Sequence, residues 1–164
     1  MEALAEIENT IMIIGFSGHR KIGGYVYPNP IYNKVYQETE KYLLELKPEK
    51  VISGFAIGYD QIAAHISYKL KISVIAAVPF IGQELNWPKP VQEKYHAMLK
   101  LAERVEIVSK GGYAAYKMQV RNEWIVNNCD LLLACFDGSK GGTYNCIEYA
   151  KSKNKPIIVI EPKI

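Results

Sequence analysis

Asp130-Leu-Leu-Leu-Ala-Cys-Phe-Asp-Gly-Ser-Lys-Gly-Gly-Thr-Tyr-Asn-Cys-Ile-Glu148 carries the pattern that decides the fold. Leu131 to Phe136 is an unbroken apolar run, which predicts a strand buried on both faces. It stops at Asp137-Gly138, and Gly141-Gly142-Thr143 then opens a helical pattern that runs to Ser152. Glycines let a backbone approach a ligand closely, and the first turn of a helix has unpaired N–H groups. With the Thr143 hydroxyl beside them, such a loop suits a phosphate or another anion. Glycine after a strand is also ordinary turn chemistry, so the loop acquires weight only if other segments agree with it.

They do, because the same order recurs along the chain. Ile11 to Phe16 predicts a first strand ending in Ser17-Gly18-His19-Arg20. Ile31 to Leu46 has helical spacing, with Tyr32, Val35, Tyr36, Tyr42, Leu43 and Leu46 as its inner stripe, and Pro48 closes it. Val51-Ile52 is a short second strand that runs into Ser53-Gly54-Phe-Ala-Ile-Gly58-Tyr-Asp60 and another helix. Ile72 to Pro79 predicts a third strand, Val91 to Ala102 a helix, Val105 to Val108 a fourth strand, and Tyr116 to Asn128 a helix. Pro156 to Ile160 is the sixth strand. This alternation implies a Rossmann-like, doubly wound α/β fold: a mostly parallel sheet with helices on both faces, in a single domain over residues 1–164. In such sheets ligands lie outside the carboxyl ends of the strands, so the loops after four strands would meet on one edge.

Length and composition are consistent with that fold. At 164 residues, 49% hydrophobic and 23% charged, the chain can bury a sizeable core without staples. A formal charge of +3 favours an anionic ligand slightly but falls short of the clustered basic residues of nucleic-acid binders. Cys129, Cys135 and Cys146 match no zinc or redox spacing, so they read as reduced core residues and no metal is expected. The N-terminus has no basic flank, and the run from Ile11 is too short for a signal sequence or membrane span, which predicts a cytoplasmic protein.

The candidate site residues follow from chemistry. Ser17, Gly18, His19 and Arg20 would set a hydroxyl, backbone N–H groups, an imidazole and a guanidinium beside an anion. Gly54 and Gly58 permit close backbone approach next to Ser53, and Asp60 could accept a ribose hydroxyl or cap its helix. The G-x-G-x-x-G fingerprint and the Walker lysine are both absent. Trp87, between Asn86 and Pro88, could stack on a base or pack on the sheet edge, with Gln83 and Glu84 in the same loop. Helical spacing makes His65 and His96 ordinary surface or satisfied residues.

Ser53 to Asp60, Pro79-Phe80 with Gln83 and Asn86-Trp87, Arg121-Asn122 ahead of Asp130, and Asp137-Gly138 with Gly141-Gly142-Thr143 together resemble the SLOG superfamily, in its YpsA-like branch, which is related to the DprA and LOG groups. The resemblance spans Gly15 to Ile160 and implies binding of a nucleotide or nucleotide-derived ligand. By position it adds Arg121 and Asn122 to a pocket of Ser17, Gly18, Arg20, Ser53, Gly54, Gly58, Asp60, Gly141, Gly142 and Thr143. LOG enzymes, and likewise nucleoside 2-deoxyribosyltransferases, use a Glu three residues after the Thr. Here that residue is Cys146, and Glu148 lies two further on, a turn of about 200° around a helix.

The resemblance and the loops therefore rank three functions. The first is a binding or sensing domain for a small-molecule nucleotide, with no cofactor specified beyond that ligand. The second is a hydrolase or transferase at an N-glycosidic bond, with Asp60, Asp137 and Glu148 as candidate carboxylates. The third, DprA-like single-stranded DNA binding, would draw on Arg20, Tyr25 and Tyr27. Twelve tyrosines, several on helices, leave room for a homo-oligomer.

Overall fold

The structure, a computed structural model, describes residues 12–164. The strands are β1 (Ile13–Gly18), β2 (Lys50–Ser53), β3 (Ser73–Val78), β4 (Arg104–Ile107), β5 (Leu131–Cys135) and β6 (Ile157–Ile160). The helices are α1 (Pro30–Leu46), α2 (Tyr59–Lys69), α3 (Lys89–Leu99), α4 (Tyr116–Asn128) and α5 (Gly142–Ser152). Every strand pairing is parallel, in the order β4-β3-β2-β1-β5-β6. From β1 the chain steps outward through β2 and β3 to β4, then crosses back along α4 to place β5 on the other side of β1. The order thus reverses between β1 and β5, where loops leaving the strand ends diverge and open a crevice.

Side-chain alternation divides the core. Ile14 and Phe16 of β1 and Leu131, Leu133 and Cys135 of β5 join Val35, Leu43, Tyr59 and Ile66 of α1 and α2 on one face. Leu132 and Ala134 turn to the other face, against Val126, Cys146 and Ile147 of α4 and α5, while Ile52 and Ile75 meet Ile125 and Cys129. All five residues of β5 are buried, as expected of a central parallel strand.

The elements differ from the sequence reading mainly at their ends. β1 extends through Ser17 and Gly18, because these pair with Ala134 and Cys135 of β5 rather than joining the loop. Its predicted start, Ile11, lies outside the described residues, as does the segment before it. α2 starts at Tyr59 with Gly58 in the cap position, so Asp60 stands in the first turn and forms no capping bond. Asp130, just before β5, accepts a 2.7 Å hydrogen bond from the Ile13 N–H and so ties the starts of the two central strands. Among the described residues no helix is long and apolar enough to cross a membrane.

Candidate functional site

The crevice at the β1/β5 reversal holds a cavity of about 350 Å³. Ser17, Gly18, His19 and Arg20 line it from the end of β1, Ala56 from the β2–α2 turn, Asp60 from the first turn of α2, Met118, Arg121 and Asn122 from α4, and Gly142 and Thr143 from α5. Segments far apart in sequence therefore meet as the parallel topology requires, and the start of α5, where first-turn N–H groups lack intrahelical partners, borders the cavity at Gly142 and Thr143.

Arg121 is the least expected member. Its helix position suggests a solvated side chain, yet it is 5% exposed. Its Nη1 donates to the Gly54 carbonyl at 2.9 Å and to Ala77 at 3.4 Å, while Nε donates to Asn122 Oδ1 at 2.9 Å. A Cβ on Gly54 would come within 2.2 Å of Nη1, so this residue must be glycine for the guanidinium to lie there. Burial lowers the Arg121 pKa, and the charge of Asp60 opposes that shift. Asp60 is itself buried, which pushes its pKa up to about 6 against the lowering effects of Arg121, the Ala56 backbone and Arg20. No described carboxylate lies within 4.0 Å of the Arg121 guanidinium, so Arg121 and Asp60 share a cavity without forming a contact ion pair.

Gly58 locks the β1 loop onto α2. It has φ +98°, and a Cβ would meet the His19 carbonyl at 2.4 Å and Arg20 Cα at 2.5 Å. The same close approach lets the Tyr59 N–H donate to the His19 carbonyl at 3.0 Å. On the other side of this loop, His19 Nε2 lies 3.0 Å from both the Asp137 N–H and the Asp137 carboxylate. A neutral imidazole accepts from the amide there, and a protonated one donates to the carboxylate instead. Ser139 donates its N–H and hydroxyl to Asp137 Oδ1, at 2.8 and 2.5 Å, and holds that carboxyl below its usual range.

Several expected residues have other positions. Ser53 is fully buried and donates to the Asp60 carbonyl at 2.8 Å, so it shapes the turn without lining the cavity. Gln83 is also buried and bridges the Gly54 carbonyl and the Tyr95 hydroxyl, both at 3.1 Å. Gly141 and Asp137 flank the cavity in sequence, but neither lines it. Glu148 is exposed on α5 with Lys151 at 3.4 Å, away from the cavity, while the position three after Thr143 is the buried thiol Cys146. Helical rotation explains that separation. Asp60 is thus the carboxylate among the three candidates that reaches the cavity.

A larger cavity of about 720 Å³ also has Arg20 in its lining. Trp87 and Asn86 belong to it, together with Tyr25, Tyr27, Tyr32, Ile57, Gly58, Gln61, Ile62, His65, Pro88, Val91 and Lys94. The sequence places Tyr32 on the inner stripe of α1 and makes His65 an ordinary surface or satisfied helix residue. The closeness of Tyr25, Tyr27 and Tyr32 in sequence was the available signal for an aromatic wall. Among the described residues no group of three His, Cys, Asp or Glu side chains gathers to hold a metal ion.

Comparison with known proteins agrees with this architecture. Over 94% of its length the chain superposes on DprA of Streptococcus pneumoniae with a TM-score of 0.66 at 16% identity, spanning 51% of that protein. DprA of Helicobacter pylori, described by its single-stranded DNA binding mode, gives a TM-score of 0.65 at 18% identity over 94% of this chain and 67% of that one. At these identities the likeness is one of fold. The SPbeta prophage-derived protein YoqJ of Bacillus subtilis is 31% identical over 135 residues, 73% of this chain and 79% of that protein. A UPF0398 protein of Shouchella clausii is 34% identical over 61% of this chain, which spans only 57% of that relative. A model of the YpsA family, described as the YspA SLOG family, matches residues 29–163, and the chain belongs to that family.

Proposed function

We propose that the protein binds a nucleotide or nucleotide-derived ligand, with a phosphorylated ribose in the smaller cavity. The observation that carries this reading is the buried Arg121 guanidinium, fixed by backbone carbonyls and not neutralised by a contact carboxylate, beside Arg20 and the start of α5. A guanidinium and helix N–H groups together favour an anion, and Asp60 and Asn122 offer acceptors for sugar hydroxyls. A cytoplasmic homo-oligomer belongs to the same reading, and light scattering tests its second half.

Thermal shift against nucleoside mono-, di- and triphosphates, NAD and ADP-ribose is the test. A ligand at about 100 times its Kd adds about 2.7 kcal/mol of stability. Arg20→Ala and Thr143→Val should each remove the shift while leaving the unliganded Tm near that of the parent protein. No shift with any of these compounds sinks the reading.

Two observations favour alternatives that the same samples can separate. Asp60, a protonatable carboxylate in the cavity, supports cleavage or transfer at an N-glycosidic bond, and chromatography would then show free base. The fold likeness to H. pylori DprA supports single-stranded DNA as ligand, and that affinity would fall steeply with salt.

A further inference from the structure

A phosphorylated ribose fills only the smaller cavity and leaves the larger one without an occupant. At about 720 Å³ that chamber lies in the ordinary range for small-molecule sites, roughly 300–1,000 Å³. Its chemistry is aromatic. Tyr27 and Tyr32 stack at 4.5 Å with planes 19° apart, and Trp87 stands edge-on to Tyr95 at 5.2 Å. The Trp87 carbonyl accepts from Gln92 at 2.8 Å, which fixes the backbone that carries the indole. The Tyr27 hydroxyl is itself buried, beside the Ile22 backbone, so Tyr27 lines the chamber with its ring. Arg20 lines both cavities, so whatever occupies them meets at that residue.

We propose that the larger chamber is a base-binding subsite: it takes the nucleobase of a nucleoside phosphate whose ribose and phosphate lie in the smaller cavity, with Arg20 at the junction. The proposal rests on the nucleotide reading above and adds which part of the ligand each cavity holds. It also assigns part of the base contact to the β1–α1 loop. Tyr25 and Tyr27 come from that loop, ahead of the residues 29–163 that the family model matches. A planar ring gains from stacking on Tyr and Trp faces whatever its base.

Trp87 provides a local reporter. The chain has two tryptophans, and Trp124 packs with the cluster of Ile52 and Ile75 on the opposite face of the sheet. In a Trp124→Phe protein the emission comes from Trp87 alone. Ribose 5-phosphate and the four ribonucleoside 5′-monophosphates are titrated separately, following both Tm and Trp87 emission. At least one monophosphate should quench Trp87 and bind on the order of tenfold tighter than ribose 5-phosphate, which should raise Tm without quenching. Tyr32→Ala should bring the affinity for that monophosphate down to that of ribose 5-phosphate. Tyr25→Ala is the companion variant, because Tyr25 is 59% exposed and its removal takes little from the core; it should lower the same affinity difference. If all five compounds bind alike and Trp87 emission does not change, the base subsite is wrong and the nucleotide reading stands. If none of them raises Tm, while NAD or ADP-ribose does, the base subsite for a simple nucleoside phosphate is likewise wrong. If no nucleotide of any kind binds, both proposals fail.

Discussion

Burial of the Asp60 carboxyl carries a pH-dependent cost to the fold, which the Arg121 charge across the cavity offsets only in part. The folded Asp60 pKa is raised to about 6 from an unfolded value of 3.8, chiefly by burial. Below the unfolded value the group is protonated in both states and costs nothing. Stability is lost as pH rises toward and through the folded value, because the unfolded chain releases a proton that the folded one holds. Asp60→Asn should therefore stabilise the protein above pH 6 by about 1–3 kcal/mol, with the gain fading between pH 6 and pH 4. Urea unfolding at several pH values checks this, and a gain independent of pH would contradict it. Gly54→Ala acts on the other partner. Its Cβ would fall on the Arg121 guanidinium, the movable end of a long side chain, so the helix should survive while the guanidinium is displaced. The expected result is a cooperative unfolding transition with nucleotide binding lost, and retained affinity would mean that Arg121 does not contact the ligand. Neither effect could be read from local sequence. Arg121 in a helix reads as solvated, and it is buried where two carbonyls converge on it, Gly54 just after β2 and Ala77 in β3.

At the scale of elements, the loop between β1 and α1 depends on Asn29. Its Oδ1 caps α1 by accepting from the Tyr32 N–H at 2.8 Å, and its Nδ2 donates to the carbonyls of Ile22 and Val26 at 2.9 and 3.0 Å. One side chain thus fixes both the start of a helix and the loop that brings Tyr25 and Tyr27 to the larger cavity. Asn29→Ala should cost about 1–2 kcal/mol of stability, at the upper end for a cap because the loop bonds go with it. A loss well under 0.5 kcal/mol by chemical denaturation would show that the loop holds itself. Element identity was readable along the chain, since periodicity and breakers are local. Element ends were less so: β1 gained Ser17 and Gly18 through pairing with β5, a partner more than 100 residues away. Lys117 is similar in kind. It is 8% exposed, and its amine donates to the carbonyls of Lys110 and Gly112, both at 2.6 Å.

For the whole molecule, the two-sided core puts all three cysteines out of reach. Burial pushes the Cys129 and Cys146 thiols up to about 11 and Cys135 to about 12, and all three are free. A thiolate-directed reagent at pH 8 should leave the native protein nearly unlabelled and modify three groups after denaturation. Rapid labelling of one thiol in the native state would place it on an opening segment. The sheet that buries these thiols was legible from strands and helices alternating at short spacing, because hydrophobic period and turn chemistry reside in consecutive residues and parallel crossovers have one hand. So were the glycine loops and the edge on which they gather, since every parallel strand ends on the same side. The strand order is a different matter, as are the burial of Arg121, the turn-shaping role of Ser53, the exile of Glu148 to an exposed helix face and the aromatic chamber beside Arg20. Each of these depends on residues distant in the chain coming within a few ångströms of one another, and long-range packing and desolvation leave no local pattern to read.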